Sequence, residues 1–434
     1  FEVISPLNSL KEVEVMLIPE EYRYFITRYG MREEDYPKVF PKEEVRRVKI
    51  EPKKLEREMF SVDFEDLKGG REYIVKARVK DVAGSEKAVE AKTPYIRQFE
   101  NIAKTDNILV GAVYYPWYPH NWQFGSTYTP LLGKYDTTDP IVVNKHIDWA
   151  TGHGIDFFAV SWPGLRSWLS ERPHMIENLE NGLLKSSLID QIKFVIFFEP
   201  SYLEEELPNV NKHEAYFKDI KYIISNYFKN FSYLKINEKP VIIHYNVRLL
   251  YKISDNPSDI IGQVREISNN SGYNLRYIGE VFLPSIPGIA PWLPPREELL
   301  EKLDGLTNWI VFRPWENNVG GEKSWEEFLS DINIYYPEWK KYAQRYNIWF
   351  IPLAAPGFDD RYCSWGSKIV LPKDMDKFKK FLDISLLNMQ GSKLMLIATW
   401  NDWCEGTNIE PSIETGFKEL IVIKDTLSNY KLKS

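Results

Sequence analysis

Asp402 and Glu405 stand three residues apart in the stretch Ala398-Thr-Trp-Asn-Asp-Trp-Cys-Glu-Gly-Thr-Asn-Ile-Glu-Pro411, interleaved with Trp400 and Trp403. Two carboxyl groups so spaced can supply a proton donor and a proton acceptor to one reacting bond, and indole faces stack on the C–H surfaces of sugar rings. Taken alone, the same stretch reads equally well as an acidic surface loop with two packed tryptophans, because acid pairs at this spacing recur by chance. What positions the pair decides between the two. The run Lys393-Leu-Met-Leu-Ile-Ala-Thr399 leads directly into it. That run is too short for a helix and is bounded by polar residues, so it reads as a core strand.

Upstream, strand-like runs alternate with helix-like ones. The strand candidates are Ile108–Tyr115, Ile155–Trp162, Ile192–Glu199, Pro240–Tyr245, Arg276–Leu283, Thr307–Phe312, Ile348–Leu353 and Lys393–Thr399. Helical patterning lies between them at Val142–Thr151, Met175–Ser187, Glu214–Asn226, Ile260–Ser268, Arg296–Leu303, Trp325–Tyr342 and Met375–Met389. This alternation predicts an α/β fold, a (β/α)8 TIM-type barrel over residues 105–434. A doubly wound sheet would announce itself with a glycine-rich first turn, and Tyr114-Tyr-Pro-Trp-Tyr118 is nothing like one. Active sites of such barrels lie at the carboxyl ends of the strands. Here those ends carry Tyr114, Tyr115, Trp117 and Tyr118, then Trp162, Glu199, Tyr245 with Arg248, and Glu280. Arg313 with Glu316, Asp359–Arg361, and Asp402 with Glu405 complete the ring. Polar and aromatic residues at nearly every end suit a cleft for a polyhydroxylated ligand.

Residues 1–100 differ. Short alternating runs such as Ile74–Lys80 and Lys87–Thr93, broken at Ala83-Gly84, read as antiparallel β. The spacing of Leu67 and Tyr73 ahead of a strand resembles the tyrosine corner of fibronectin type III sandwiches, which predicts a small all-β accessory domain before the barrel. The charged stretch Glu20–Glu44 reads as an insertion.

Composition narrows the function. A net charge of −7 without a basic tract argues against nucleic acid as a partner, and no apolar run reaches the length of a membrane span. Aromatic residues make up 15% of the chain, with 14 Trp and 26 Tyr, an enrichment that fits a carbohydrate-handling cleft. Two cysteines rule out a disulfide framework or a zinc ribbon, and the scattered histidines form no ligand pair, so no metal or organic cofactor is expected. If the strand count holds, Cys363 and Cys404 lie on neighbouring loops after the seventh and eighth strands, where a disulfide would pin the loop of Glu405; two free thiols are the alternative. The chain begins at Phe1 rather than Met, which leaves a removed signal peptide or a truncation open.

Several segments resemble glycoside hydrolase family 99, the endo-α-mannosidases, and related bacterial glycan-processing proteins. They are Tyr114–Tyr118, Pro130–Asp136, Gly154–Gly164, Phe198-Glu-Pro200, Trp400–Gly406 and Ile409-Glu-Pro411, in the family's order and across the second domain only. The resemblance implies a retaining hydrolase of α-mannoside-like linkages, acting internally on oligo- or polysaccharides. It implies that Glu405 is the general acid/base, and that the first acid of the motif deprotonates the sugar 2-hydroxyl, which attacks C1 to give a 1,2-anhydro intermediate. The family carries Glu at that first position; this chain carries Asp402. One missing methylene withdraws the carboxylate by roughly an ångström, which catalytic geometry tolerates poorly. Further residues carried over as substrate contacts are Glu199, Tyr245, Arg248, Arg361 and Trp162, with Tyr114, Tyr115, Trp117 and Trp403 as cleft aromatics.

Each carry-over has a plainer reading: Trp117 and Trp162 as core aromatics, Glu199 as the partner of an arginine such as Arg248, Arg361 as a loop-internal ion pair with Asp359 or Asp360. His244 reads as a satisfied core histidine. The chemistry requires Glu405 protonated, its carboxyl raised by Trp400, Trp403 and a neighbouring acid, and Asp402 ionised with help from Asn401 or a tyrosine hydroxyl. The alternative function is a non-catalytic glycan-binding or polysaccharide-assembly protein on the same barrel. An ordinary covalent or inverting two-carboxylate mechanism is a third possibility.

Overall fold

The computed structural model describes residues 2–4, 10–20, 30, 45–53, 57–102, 108–166, 173–205, 210–281, 297–310, 321–322, 324–365 and 368–431. The chain divides into two units, Phe1–Glu100 with Leu131–Tyr135, and Asn101–Pro130 with Asp136–Ser434.

The first unit is antiparallel β. A four-stranded sheet runs in the order Arg46–Ile50, Leu10–Pro19, Tyr73–Asp81, Glu86–Lys92, and a separate pair joins Glu2–Ile4 to Arg57–Met59. Leu10, Val13 and Phe60 form its core with Ile50 and Val79 against them. The edge strand Glu86–Lys92 is exposed throughout and is laced by Lys76–Glu90 and Lys80–Glu86 ion pairs, charges that discourage edge-to-edge pairing. The buried Tyr73 hydroxyl accepts from the Lys68 N–H at 3.0 Å and donates to its carbonyl at 3.2 Å, the bonding of a tyrosine corner. The stretch Glu20–Glu44 falls almost wholly outside the described residues.

In the second unit parallel strands form a nearly closed barrel. In order they are Leu109–Tyr114, Phe157–Trp162, Lys193–Phe198, Lys239–His244, Arg276–Glu280, Gly305–Thr307, Trp349–Ile351 continued by Leu353–Ala354, and Leu394–Ile397. They are apolar and buried on both faces, as strands covered by crossover helices must be. The seventh strand is interrupted at Pro352, which has no N–H for the ladder. Its first half pairs with the sixth strand and its second half with the eighth, and this split closes the ring. Helix starts follow from side-chain caps: Asp139 accepts from the Ile141 N–H with Pro140 at the first position, and Asp374 accepts from Asp376 and Lys377.

Two expectations shift. The sixth strand is Gly305–Thr307, ahead of the anticipated Thr307–Phe312, since it is these residues that pair with Ile278–Glu280 and Trp349–Ile351. Glycine stands at 305, where Ile278 and Trp349 leave no room for a Cβ. The final helix, Lys418–Lys431, was not anticipated at all. Arg313 and Glu316 lie outside the described residues.

Candidate active site

The eighth strand lies between the first and the seventh, so residues 398–405 emerge beside the ends of both. Asn401 extends the pairing past the strand. Its side chain accepts from the Tyr115 N–H at 2.8 Å and donates to the Tyr115 carbonyl at 3.0 Å, while the Tyr118 hydroxyl donates to the Asn401 carbonyl at 2.8 Å. The Thr399 hydroxyl accepts from the Asp402 N–H at 2.8 Å, and Asp402 Oδ1 accepts from the Glu405 N–H at 3.0 Å. That last bond turns the chain so that both acids face one space. Gly406 permits the turn, with φ of +61° and a Cβ position only 3.1 Å from the Asp359 side chain. From the seventh-strand loop the Asp359 N–H donates to the Glu405 carbonyl at 2.6 Å, and Cys363 and Cys404 are joined in a disulfide with Cα atoms 5.5 Å apart.

The space is a cavity of about 400 Å³ at the carboxyl ends of the barrel strands. Asp402 and Glu405 line it together with Tyr115, Trp117, Glu199 and Tyr245. Residues not anticipated from sequence also line it, notably Ser161, Glu204, Trp309 and Trp365. Trp365 Nε1 donates to Glu405 Oε1 at 3.1 Å, whereas Glu405 Oε2 is buried with no hydrogen-bond partner among the described residues. A signal for Trp365 existed: it stands two residues beyond Cys363, in a loop that a Cys363–Cys404 disulfide would tie to the acid pair.

Burial raises the Glu405 carboxyl to about 7, with Asp360 adding to the rise and the Trp365 bond opposing it. Trp400 and Trp403, expected to provide that effect, do not line the cavity; both rings are buried, and Trp403 Nε1 donates to Glu410 Oε2 at 3.2 Å. Asp402 is also pushed upward, first by burial and then by Glu405. The groups that favour its charged form are the backbone N–H of Glu405 and Cys404, rather than Asn401 or a tyrosine hydroxyl. Burial and the neighbouring carboxyl thus work against the ionised Asp402 that the chemistry asks for, and the two backbone N–H groups work for it.

The other anticipated residues sit elsewhere. Alternation along the second strand gives Ser161 to the cavity and turns Trp162 outward, where it donates to the Tyr227 hydroxyl at 3.2 Å on the helix Lys212–Tyr227. Tyr114 likewise turns outward onto His146 at 3.2 Å, and His146 Nε2 meets Glu410 Oε1 at 3.0 Å. Arg361 pairs with Asp359 at 2.8 and 2.7 Å within its own loop and does not line the cavity. Arg248 is half-buried, also off the cavity wall, within the field of Glu280. His244 is buried, with Nδ1 on the Tyr245 carbonyl at 2.9 Å, and burial lowers it to about 3, which suits a neutral core residue.

Glu280, at the end of the fifth strand, braces the cavity wall from behind. Its two oxygens accept from the Asn246 N–H at 2.9 Å and the Trp309 N–H at 3.1 Å, next to the lining residues Tyr245 and Trp309. Burial raises its carboxyl to about 7. Among the described residues no group of three or more His, Cys, Asp or Glu side chains could hold a metal ion. No helix among them is long and apolar enough to cross a membrane.

The family described as Glycosyltransferase WbsX matches residues 201–423, just over half of the 434-residue chain. The chain belongs to this family. A curated relative of this WbsX-family chain is glycoprotein endo-alpha-1,2-mannosidase of Mus musculus, 22% identical over 307 residues, which is 67% of this chain and 57% of the relative. The chain therefore spans a little over half the length of that relative. Among solved structures, a glycoside hydrolase-like protein aligns with a TM-score of 0.60 at 18% identity, covering 77% of this chain and 96% of its own. The family 99 endo-alpha-mannosidase of Bacteroides thetaiotaomicron aligns with a TM-score of 0.53 at 17% identity, covering 74% and 97%. Identity this low establishes a shared barrel fold, consistent with the family match.

Proposed function

We propose that this WbsX-family chain is a retaining glycoside hydrolase acting internally on α-mannoside-like linkages of oligo- or polysaccharides, with residues 105–434 as its catalytic domain. The observation that carries the reading is Glu405. It has a carboxyl raised to about 7, one oxygen held by Trp365 and the other without a partner among the described residues, beside Asp402 on the wall of a cavity. Asp402 takes the proton of the sugar 2-hydroxyl, O2 bonds to C1, and the leaving glycosidic oxygen takes the proton of Glu405. Glu405 then takes a proton from water, the resulting hydroxide opens the 1,2-anhydro sugar at C1, and O2 recovers its proton from Asp402. Two displacements at C1 retain the configuration. Tyr115, Trp117, Glu199 and Tyr245 contact the sugar. Tyr114, Trp162, Arg248, Arg361 and Trp403 support the walls from outside the cavity.

The family's description names a glycosyltransferase, so transfer from an activated donor is the competing reading. The cavity wall favours hydrolysis of a neutral glycan, since an anionic diphosphate donor would face the carboxyls of Glu199, Glu204, Asp402 and Glu405. Binding without turnover is the remaining alternative, and the shortened Asp402 is what favours it. Residues 1–100 read as an accessory β-sandwich of the fibronectin type III kind, supported by the Tyr73 corner.

Wild type and Glu405→Gln should be incubated with a panel of α-mannose-containing oligosaccharides, with products read by mass and the nascent anomer by NMR. Cleavage with retention that is lost in the variant is the expected result. Saturable binding with no product would replace the hydrolase with a glycan-binding protein, and product formed only when an activated sugar donor is supplied would replace it with a transferase.

A further inference from the structure

We propose that Trp365 is a positioning residue for Glu405, held against it by the Cys363–Cys404 disulfide, and that it directs the acid's proton to Oε2. The proposal rests on Glu405 acting as the general acid. An indole has one N–H, which only donates. That of Trp365 goes to Glu405 Oε1 at 3.1 Å, so in the protonated carboxyl Oε1 is the carbonyl-type oxygen and the hydroxyl is Oε2. Oε2 is the oxygen with no partner among the described residues, and Glu405 lines the cavity. A proton there is held by no acceptor among the described residues.

The indole needs to be held, because at 52% exposure it gains little from burial. Two ring contacts from the first-strand loop steady it, Trp117 at 6.2 Å and Phe124 at 5.2 Å. The covalent tie is more restrictive. Cys404 is the residue before Glu405, and Cys363 stands two residues before Trp365. Two residues span at most about 7 Å even when extended, so the disulfide limits how far the ring can leave the carboxyl. The Asp359 N–H on the Glu405 carbonyl, 2.6 Å, joins the same two loops a second time.

Other groups also act on Glu405, and a test must separate Trp365 from them. Asp402 lies on its own loop, Asp360 on the seventh-strand loop, and the Tyr115 and Tyr245 hydroxyls on the first and fourth. Glu199 faces the pair through Asp402. None of these changes when the indole N–H is removed.

The experiment is an isotope-edited infrared titration of the Glu405 carboxyl in the full chain, with the band assigned by its loss in Glu405→Gln. Trp365→Phe removes the donor and keeps an aromatic ring, and near-ultraviolet circular dichroism checks that the fold is retained. The midpoint should rise by about 0.5 pH, because a hydrogen bond that favours the charged carboxylate is gone. Cys363→Ser, and wild type under mild reductant, should move it in the same direction. The pH above which kcat/KM falls should rise in parallel. A midpoint that stays or falls in Trp365→Phe overturns the positioning role. A rise in Trp365→Phe with none in either disulfide-free form overturns the tether. If Trp365→Phe does not fold, the reduced wild type carries the measurement under the same criteria. A wild type without turnover would defeat the proposed activity while leaving the carboxyl titration to decide this inference.

Discussion

Glu405 and Asp402 differ in what their oxygens meet, and this sets their expected behaviour. Glu405→Gln keeps the side chain's shape and its Trp365 contact but has no proton to give, so kcat should fall by roughly 10²–10⁴ with glycan affinity nearly unchanged, as read by turnover and calorimetry. Loss of the fold in that variant would make Glu405 a structural residue. In the wild type kcat/KM should decline as pH rises through about 7, where Glu405 ionises, and this is checked by a pH–rate profile on the free enzyme. The acids were legible in the sequence because their spacing and the preceding strand are local facts. The rise of the Glu405 carboxyl through burial and a neighbouring acid was legible as well, but not that the acid is Asp360 from another loop or that Trp400 and Trp403 stay off the cavity wall.

Strands and helices decide which member of each motif reaches the cavity. The sequence placed Trp162 and Tyr114 at the right strand ends but could not tell which face of the pleat each occupies, and a one-residue change of phase exchanges cavity for helix contact. The eighth-strand loop is anchored behind the site by Lys373, which meets Glu419 at 3.0 Å and the Asn408 carbonyl at 2.6 Å, all within the interior. Lys373→Met would leave Glu419 buried without its cation and should cost about 3–5 kcal/mol, measured by denaturant unfolding. A cost under about 1 kcal/mol would show that the ion pair contributes little to holding the last helix on the loop.

For the whole molecule, Glu280 couples stability to pH. Its folded carboxyl is raised to about 7 from an ordinary 4.5, so the folded state holds a proton that the unfolded chain releases. The stabilising contribution is complete below about 4.5 and is lost as pH rises through about 7. Glu280→Gln should flatten the decline in unfolding free energy across that window, whatever it costs at low pH by leaving one of the two backbone N–H groups without an acceptor oxygen. An unchanged slope would mean that Glu280 does not titrate there. The variant should also raise KM by loosening Tyr245 and Trp309, the cavity walls that its oxygens brace.

The order of strands and helices, the barrel, and the acid pair at the end of the last strand were determined by the sequence itself, because hydrophobic period and motif spacing are carried by neighbours in the chain. Cys363 and Cys404 were legible only as a conditional, since their pairing depends on two loops meeting. Tertiary structure alone decided that they do meet. It also decided that the seventh strand splits at Pro352 to close the ring, and that Trp365 and Asp360 act on Glu405 from 40 and 45 residues away. Contacts and burial of that kind belong to the packed barrel, where residues distant in the chain share one desolvated space.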